Sequence, residues 1–153
     1  MSSKPLPNIR PRERHAHPPP TRDEALLSQA GPLVAANVLI IGQSAVDLLC
    51  ALLRRGCPAA TCLKPEARPD AQAYSLTIVP DVTNLPAAED ALRSASRVLA
   101  APGRIVIGIP TTAPKSLPLA LSRRLRLNGF RTVATIAYGD RTVLSAQRPR
   151  RQQ

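Results

Sequence analysis

Aromatic residues are almost absent from this chain of 153 residues, in which they make up 2% of the composition. The aromatic rings are those of Tyr74, Phe130 and Tyr138. Modules that bind single-stranded nucleic acid stack bases on exposed rings, so this shortage argues against such a module. Because hydrophobic residues still form 44% of the chain, the core must be aliphatic, which is typical of a buried parallel sheet flanked by helices.

Long apolar runs are missing as well. The longest uninterrupted run falls far short of the ~20 residues that a membrane-spanning helix needs. The amino terminus also lacks the apolar segment of a secretory signal. We therefore expect a soluble, cytoplasmic protein that does not contact membranes.

Cysteine is scarce, and its spacing does not suggest a metal site. Cys50, Cys57 and Cys62 form an odd set without CxxC spacing, and they lie in or beside apolar segments. Such thiols are expected to be buried and reduced in a cytosolic protein. His15 and His17 lie in a proline-rich stretch, too far from any packed element to complete a tetrahedral site. The sequence therefore predicts no bound metal.

Acidic residues are outnumbered, and the formal net charge is +11. The basic excess is spread along the chain. It fits a generally basic surface that meets a protein partner with an acidic surface, or RNA, through charge. An arginine-rich background composition without any binding role accounts for the same excess.

Proline divides the chain into an arm, a domain and a tail. Residues 1–34 are rich in proline and charge and poor in apolar surface, which predicts a flexible arm. Within the arm, the segment from Thr21 to Gln29 fits a short helix that is capped by Thr21. Residues 35–148 are predicted to form one α/β domain, and residues 149–153 a basic tail.

From residue 37 onward, apolar runs of strand length alternate with amphipathic helical segments. The predicted strands are residues 37–42, 59–63, 74–79, 104–109, 131–138 and 141–147. The predicted helices are residues 44–56, 86–100 and 116–129. Strands separated by helices imply a parallel sheet. The last two strands are joined only by Gly139-Asp140, which predicts an antiparallel hairpin at the carboxyl terminus.

Three stretches resemble the class I S-adenosylmethionine-dependent methyltransferases. NVLIIGQS, at residues 37–44, is similar to the first strand and glycine loop of that family. YSLTIVPDVTNLPAAEDALRSASRVLAAPGRIVIGIP is similar to its fourth strand, the following helix and its fifth strand. LSRRLRLNGFRTVATIAYGDRTVLSAQRP resembles its closing helix and last antiparallel strands. The resemblance covers roughly residues 36–149 and implies a Rossmann-like, mostly parallel sheet with an antiparallel C-terminal hairpin.

The chain departs from that family at the cofactor motifs. The first loop retains only Gly42, and Lys64 follows the second strand where the family usually has an acid that holds the ribose hydroxyls. Residues 63–74 are too few for the family's third strand and its helix, so that strand is expected to be missing. Ser75 replaces an acid before the next strand. The resemblance therefore implies S-adenosylmethionine as cofactor if the protein is active, and these losses predict that it binds none.

The positions that match the family's cofactor site are Gly42, Gln43, Ser44, Lys64, Pro80 and Asp81. Ser44 and Asp47 have the spacing of a capping box, which would occupy the helix N–H groups that an anionic ligand uses. Lys64 alternatively suits the 2′-phosphate of NADP, although the three-glycine fingerprint of that site is incomplete. Asp81 is either a ligand contact at the carboxyl edge of the sheet or a turn-forming residue.

A second candidate site is basic. Arg123, Arg124, Arg126 and Arg131 lie in a stretch without acids, and they are either a contact for nucleic acid or an acidic partner, or a solvated face. No catalytic residue can be named from the sequence. We carry three functional hypotheses: a non-catalytic interaction or regulatory module that has lost cofactor binding, an active methyltransferase with an altered pocket, and an RNA-associated accessory protein.

Overall fold

The computed structural model describes residues 21–43, 45–64 and 74–150. They form a six-stranded sheet with helices on both faces. The helices are α1 (Arg22–Ser28), α2 (Val46–Arg54), α3 (Leu85–Val98) and α4 (Leu117–Leu127). The strands are β1 (Asn37–Ile41), β2 (Ala59–Leu63), β3 (Tyr74–Val79), β4 (Leu99–Pro110), β5 (Arg131–Tyr138) and β6 (Arg141–Arg148).

The order of strands across the sheet is β2-β1-β3-β4-β6-β5. Strands β2, β1, β3 and β4 run parallel to one another, whereas β6 is antiparallel to both β4 and β5. The predicted mostly parallel sheet with an antiparallel C-terminal hairpin is therefore confirmed. Within the described residues β2 pairs only with β1, and residues 65–73, where a further strand would have to begin, lie outside them.

Side chains of the central strands alternate between two apolar layers. Val38 and Ile40 of β1 face one layer, and Leu39 and Ile41 face the other, because successive side chains of a strand point to opposite faces. Helices α1 and α2 cover the first layer, and α3 and α4 cover the second. Both faces of β1 are thus buried, which explains its continuous apolar sequence.

Part of the predicted arm is packed on the domain. Helix α1 confirms the helix expected between Thr21 and Gln29, and it buries Leu26 and Leu27 against the sheet. Leu33, in the segment after α1, is also buried. The flexible arm expected over residues 1–34 therefore does not describe residues 21–34, because this short stretch carries enough apolar surface to pack; residues 1–20 lie outside the described residues.

Helix α1 begins with a reciprocal pair of capping hydrogen bonds. The Thr21 hydroxyl accepts a hydrogen bond from the Glu24 backbone at 3.2 Å, and Glu24 accepts one from the Thr21 backbone at 3.3 Å. We expect Thr21→Ala to lower the free energy of unfolding by about 1 kcal/mol, because the first-turn N–H group loses its acceptor. Urea denaturation measures this loss. Thr21→Ser keeps the acceptor and should unfold as wild type, and an unchanged Thr21→Ala midpoint would mean that α1 is not part of the cooperative unit.

Strand β4 begins earlier than the sequence predicts. It starts at Leu99 rather than at Arg104, so Pro102-Gly103, which lies between the predicted helix and the predicted strand, is part of the strand. The reason is that Leu99 is buried and pairs with Tyr74, which extends the ladder of β3 and β4 across a register shift. With 12 residues, β4 is the longest of the described strands.

The cysteines differ in exposure. Cys50, Cys57 and Cys62 all carry free thiols, but Cys62 is exposed although the sequence predicted it to be buried. The side chains of β2, which lies at the edge of the described sheet, are exposed or only half-buried. In the same described part of the chain, no helix combines the length and apolarity that crossing a membrane requires.

Candidate functional site

The candidate site lies where the parallel strands end, beside β1. From β1 the chain moves outward to β2 and then returns to the other side of β1 as β3, so the strand order reverses at this strand. Ligands of open α/β sheets bind in the crevice at such a reversal. Two cavities occur here, of about 360 Å³ between the ends of β1 and β3 and about 490 Å³ between the ends of β1 and β2. Gly42 and Gln43 line both.

Gly42 has a structural role in this crevice. Its backbone N–H donates a hydrogen bond to the Leu63 carbonyl at 2.9 Å, which continues the pairing of β1 and β2 beyond the strands. A Cβ atom at this position would lie 3.3 Å from Cδ of the buried Pro80. The glycine thus allows the ends of β1 and β3 to approach closely, whether or not a ligand binds.

The start of α2 differs from the predicted capping box. The helix begins at Val46, and its N-cap is Ala45, which makes no side-chain cap hydrogen bond. Ser44 lies outside the described residues, while Asp47 is exposed in the first turn. The observed N-cap is thus one residue later in the chain than the capping box predicts. The negative charge of Asp47 still opposes an anion at this helix start.

The cavity between β1 and β2 is bordered by Lys64 and Cys62. Lys64 is exposed at the end of β2, the position predicted for it from the sequence. Desolvation raises the pKa of the Cys62 thiol, so at neutral pH this sulfur is present mainly as the weakly nucleophilic thiol. This cavity therefore offers a cation and a protonated sulfur to any ligand.

Asp81, at the end of β3, is held by two arginines. Arg22 of α1 donates from Nη1 to Oδ2 of Asp81 at 2.7 Å, and Nη1 of Arg141 lies 3.7 Å from Oδ1. Partial burial acts to lower the pKa of Arg22, but the hydrogen bond with Asp23 and the charge of Asp81 outweigh it, and the pKa is raised. Both carboxylate oxygens of Asp81 therefore already face permanent cations.

Arg141 is the more deeply buried of these two arginines, with 11% of its side chain exposed. Its Nε and Nη1 atoms are buried and have no hydrogen-bond partner among the described residues. Oδ1 of Asp140, 3.6 Å from Nε, is near but beyond hydrogen-bond length. Asp81 and Asp140 thus balance a buried guanidinium mainly through charge.

The structure brings most of the predicted residues together. Gly42, Gln43 and Lys64 share one cavity, and Gly42, Gln43 and Asp81 share the other, while Pro80 lies buried beside them. The sequence missed Arg22 and Arg141. Neither could be found from local spacing, because both contacts join Asp81 to residues about 60 positions away in the chain.

The predicted basic site lies on other elements. Arg123, Arg124 and Arg126 are exposed on α4, and Arg131 is exposed at the start of β5. Arg124 forms an ion pair of 3.1 Å with Glu89 of α3, so it is partly neutralised. The remaining three face solvent, away from the crevice at the carboxyl ends of the strands.

Comparison with known proteins gives a structural likeness without a sequence match. Neither a model of a known protein family nor a curated protein sequence matches this chain. Ribosomal protein L11 methylase from Lactobacillus delbrueckii subsp. bulgaricus superposes with a TM-score of 0.67 at 12% identity, over 84% of this chain and 77% of that protein. The Methanococcus jannaschii fibrillarin pre-rRNA processing protein gives a TM-score of 0.60 at 16% identity, over 88% and 77%.

A third similar structure holds ligands. It is 1,6-didemethyltoxoflavin-N1-methyltransferase from Burkholderia thailandensis with bound 1,6-didemethyltoxoflavin and S-adenosylhomocysteine, and it has a TM-score of 0.59 at 13% identity, over 84% of this chain and 76% of that protein. At such low identity the likeness concerns the fold alone. With the strand order β2-β1-β3-β4-β6-β5 and the antiparallel final strands, this chain has the Rossmann-like fold of the class I S-adenosylmethionine-dependent methyltransferases.

Proposed function

We propose that this methyltransferase-like protein is a non-catalytic interaction or regulatory module that has lost the binding of S-adenosylmethionine. The observation that carries the proposal is the pairing of Asp81 with Arg22 at 2.7 Å. Among the described residues, Asp81 is the only carboxylate that lines either of the two cavities. Neither cavity therefore offers a ligand a carboxylate that is free of cations.

The chemistry of the cofactor makes this arrangement unfavourable. The ribose hydroxyls and the ammonium group of S-adenosylmethionine are hydrogen-bond donors that need acceptors, and its sulfonium adds a second positive charge. Its carboxylate is the one group that a cation would favour. Lys64 stands at the end of β2, where a carboxylate would receive the ribose hydroxyls. Hydrogen bonds to a charged group contribute about 1.5–3 kcal/mol, and about 1.4 kcal/mol changes affinity tenfold. Losing this one partner thus weakens binding by roughly ten- to a hundredfold.

The alternative function is an active methyltransferase with an altered pocket. It is supported by the cavity of about 360 Å³ at the strand reversal, which has an apolar lining that includes Ile41, Val79 and Val82. In that case S-adenosylmethionine would contact Gly42 and Gln43 and would have to displace Arg22 from Asp81. The cost of breaking that ion pair favours the non-catalytic module.

Isothermal titration calorimetry of the wild-type chain with S-adenosylmethionine and S-adenosylhomocysteine tests the proposal. We expect no saturable binding below about 1 mM, because neither cavity has a free carboxylate to accept hydrogen bonds from the ribose and ammonium groups. A dissociation constant in the micromolar range for either compound would overturn the proposal in favour of the active enzyme.

The Lys64→Asp variant tests the physical reason for this loss. It restores a carboxylate at the end of β2 and should strengthen S-adenosylhomocysteine binding about tenfold or more. Lys115→Asp is the matched control, since Lys115 is exposed, lies outside both cavities and undergoes the same change of charge. Equal gains in the two variants would show that net charge, rather than a ribose acceptor, governs affinity.

A further inference from the structure

The end of the sheet opposite the crevice carries a concentration of arginines. Helices α2, α3 and α4 each connect strands that point the same way, so each helix runs back from the carboxyl ends of the strands to their amino ends. Their last turns therefore meet at one end of the sheet, which we call the basic end. Its exposed arginines are Arg54, Arg55, Arg97, Arg126, Arg131 and Arg150.

Carboxylates lie away from this end. Asp23 and Asp47 are in the first turns of α1 and α2, and Asp81 and Asp140 lie near the candidate crevice. The last turns of α2, α3 and α4 contain no acid. Glu89 and Asp90 lie in the middle of α3, where they form ion pairs with Arg124 and Arg93. Among the described residues, no ion pair joins a carboxylate to the exposed arginines of the basic end.

Stabilisation of helices accounts for only some of these arginines. A cation in the last turn of a helix interacts favourably with the helix dipole, which is a structural reason for Arg54, Arg97 and Arg126. Arg131 begins a strand and Arg150 follows one, so neither contributes to a helix end. The arginines that no helix end explains point to an anionic partner.

The surface of the basic end is concave. Two cavities, of about 520 Å³ and 580 Å³, adjoin there and share Arg148 and Arg150 in their linings. Arg148 is fixed in place by donating from Nη1 to the carbonyls of Ser96 at 3.1 Å and Leu99 at 2.8 Å. A concave surface lined by one sign of charge focuses the field and concentrates anions.

We propose that the basic end binds nucleic acid through its phosphate backbone, without reading base sequence. Six strands at about 4.8 Å spacing make this end roughly 24 Å wide, enough to face several phosphates of a duplex. Tyr74 and Phe130 are buried, and Tyr138 is partly buried with its hydroxyl bonded to Ser28 and Gln29. Since no ring in the described part of the chain is free to stack on bases, the contact is to phosphates, which a duplex presents outward.

An acidic protein fits this surface less well. Protein interfaces of this breadth have an apolar centre surrounded by a polar rim. The exposed large apolar side chains on the described elements nearest this end are Val34, Leu53 and Leu127, and they belong to three separate segments. The inference concerns the opposite end of the sheet from the crevice, so it stands whether or not a cofactor binds there.

Fluorescence anisotropy with a labelled RNA duplex of about 20 base pairs tests the proposal, with the corresponding DNA duplex and single strand as further probes. We expect saturable binding of a duplex that weakens about a hundredfold between 50 and 200 mM salt if about four phosphates are contacted. The single strand should bind more weakly than the duplex. Any binding of the single strand would also be through its phosphates. Absence of binding to every probe at low salt would overturn the proposal.

Paired substitutions locate the contact. Arg97→Gln with Arg126→Gln should weaken duplex binding at least about tenfold and reduce the salt slope by about one per residue. Lys64→Gln with Lys115→Gln removes the same charge from the other end of the sheet and should change affinity about twofold at most. An equal loss in both pairs would contradict binding at the basic end. Polyglutamate that competes as well as the duplex would assign this end to an acidic protein instead.

Discussion

Replacing Gly108 with alanine is expected to lower the free energy of unfolding by about 3 kcal/mol or more, the upper part of the range for overpacking a core. Gly108 is buried in β4, and a Cβ atom there would overlap the backbone carbonyl oxygen of Pro80 and lie 3.1 Å from Cδ2 of Leu26. The Gly108 carbonyl also accepts a hydrogen bond from the Val82 backbone at 2.9 Å. A substitution here thus displaces the segment that carries Asp81. Urea denaturation of the purified variant measures the effect.

Two further variants separate the cause of this loss. Gly56 has a positive φ of 86°, and a Cβ atom there would have no neighbouring atom within 4 Å, so Gly56→Ala should cost only about 1 kcal/mol, from backbone strain. Adding Leu26→Ala to Gly108→Ala should not restore stability, because the closest atom belongs to the backbone of Pro80. If the double variant regained stability, the new Cβ atom would clash mainly with the Leu26 side chain rather than with the Pro80 backbone. That result would contradict the expected mechanism.

The elements of the fold were largely predictable from the sequence, since hydrophobic periodicity reports local geometry. Strands β2, β3 and β5 have the limits that the sequence predicts. The start of β4 was predicted too late in the chain. Pro102-Gly103 is locally typical of a turn, whereas the pairing of Leu99 with Tyr74 that extends the strand is a tertiary contact. Helix α1 was predicted, yet its packing was not, because only the folded sheet provides the surface that buries Leu26.

The candidate site was predictable in position but not in charge. Gly42, Lys64 and Asp81 could be assigned to one site from the predicted ends of their strands, because the carboxyl ends of parallel strands meet at one edge of the sheet. The ion pair of Asp81 with Arg22 joins residues far apart in the chain, and nothing in the local sequence indicates it. The same holds for the basic end, where arginines from different elements become neighbours only through the topology of the sheet.

Replacing Phe130 with alanine is expected to cost about 4 kcal/mol of unfolding free energy, a large share of the total stability of a domain. Phe130 is 2% exposed and lies in the apolar layer under α3 and α4, and the guanidinium carbon of Arg148 is 5.4 Å from its ring centroid. The variant loses the buried ring, leaves a cavity, and removes the cation–π contact of Arg148. Chemical denaturation followed by circular dichroism measures the change.

Controls for Phe130→Ala come from the same region of the sheet. Phe130→Leu keeps much of the apolar volume and should cost clearly less than the alanine variant. Ile136 on the neighbouring part of β5 is 37% exposed, so Ile136→Ala should cost about 1 kcal/mol or less. If Phe130→Ala were no more destabilising than Ile136→Ala, the ring would not be part of the core. Arg148 lines both cavities of the basic end and keeps its hydrogen bonds to the carbonyls of Ser96 and Leu99 in Phe130→Leu. This variant should therefore leave duplex binding nearly unchanged, which separates loss of packing from loss of the phosphate-binding surface.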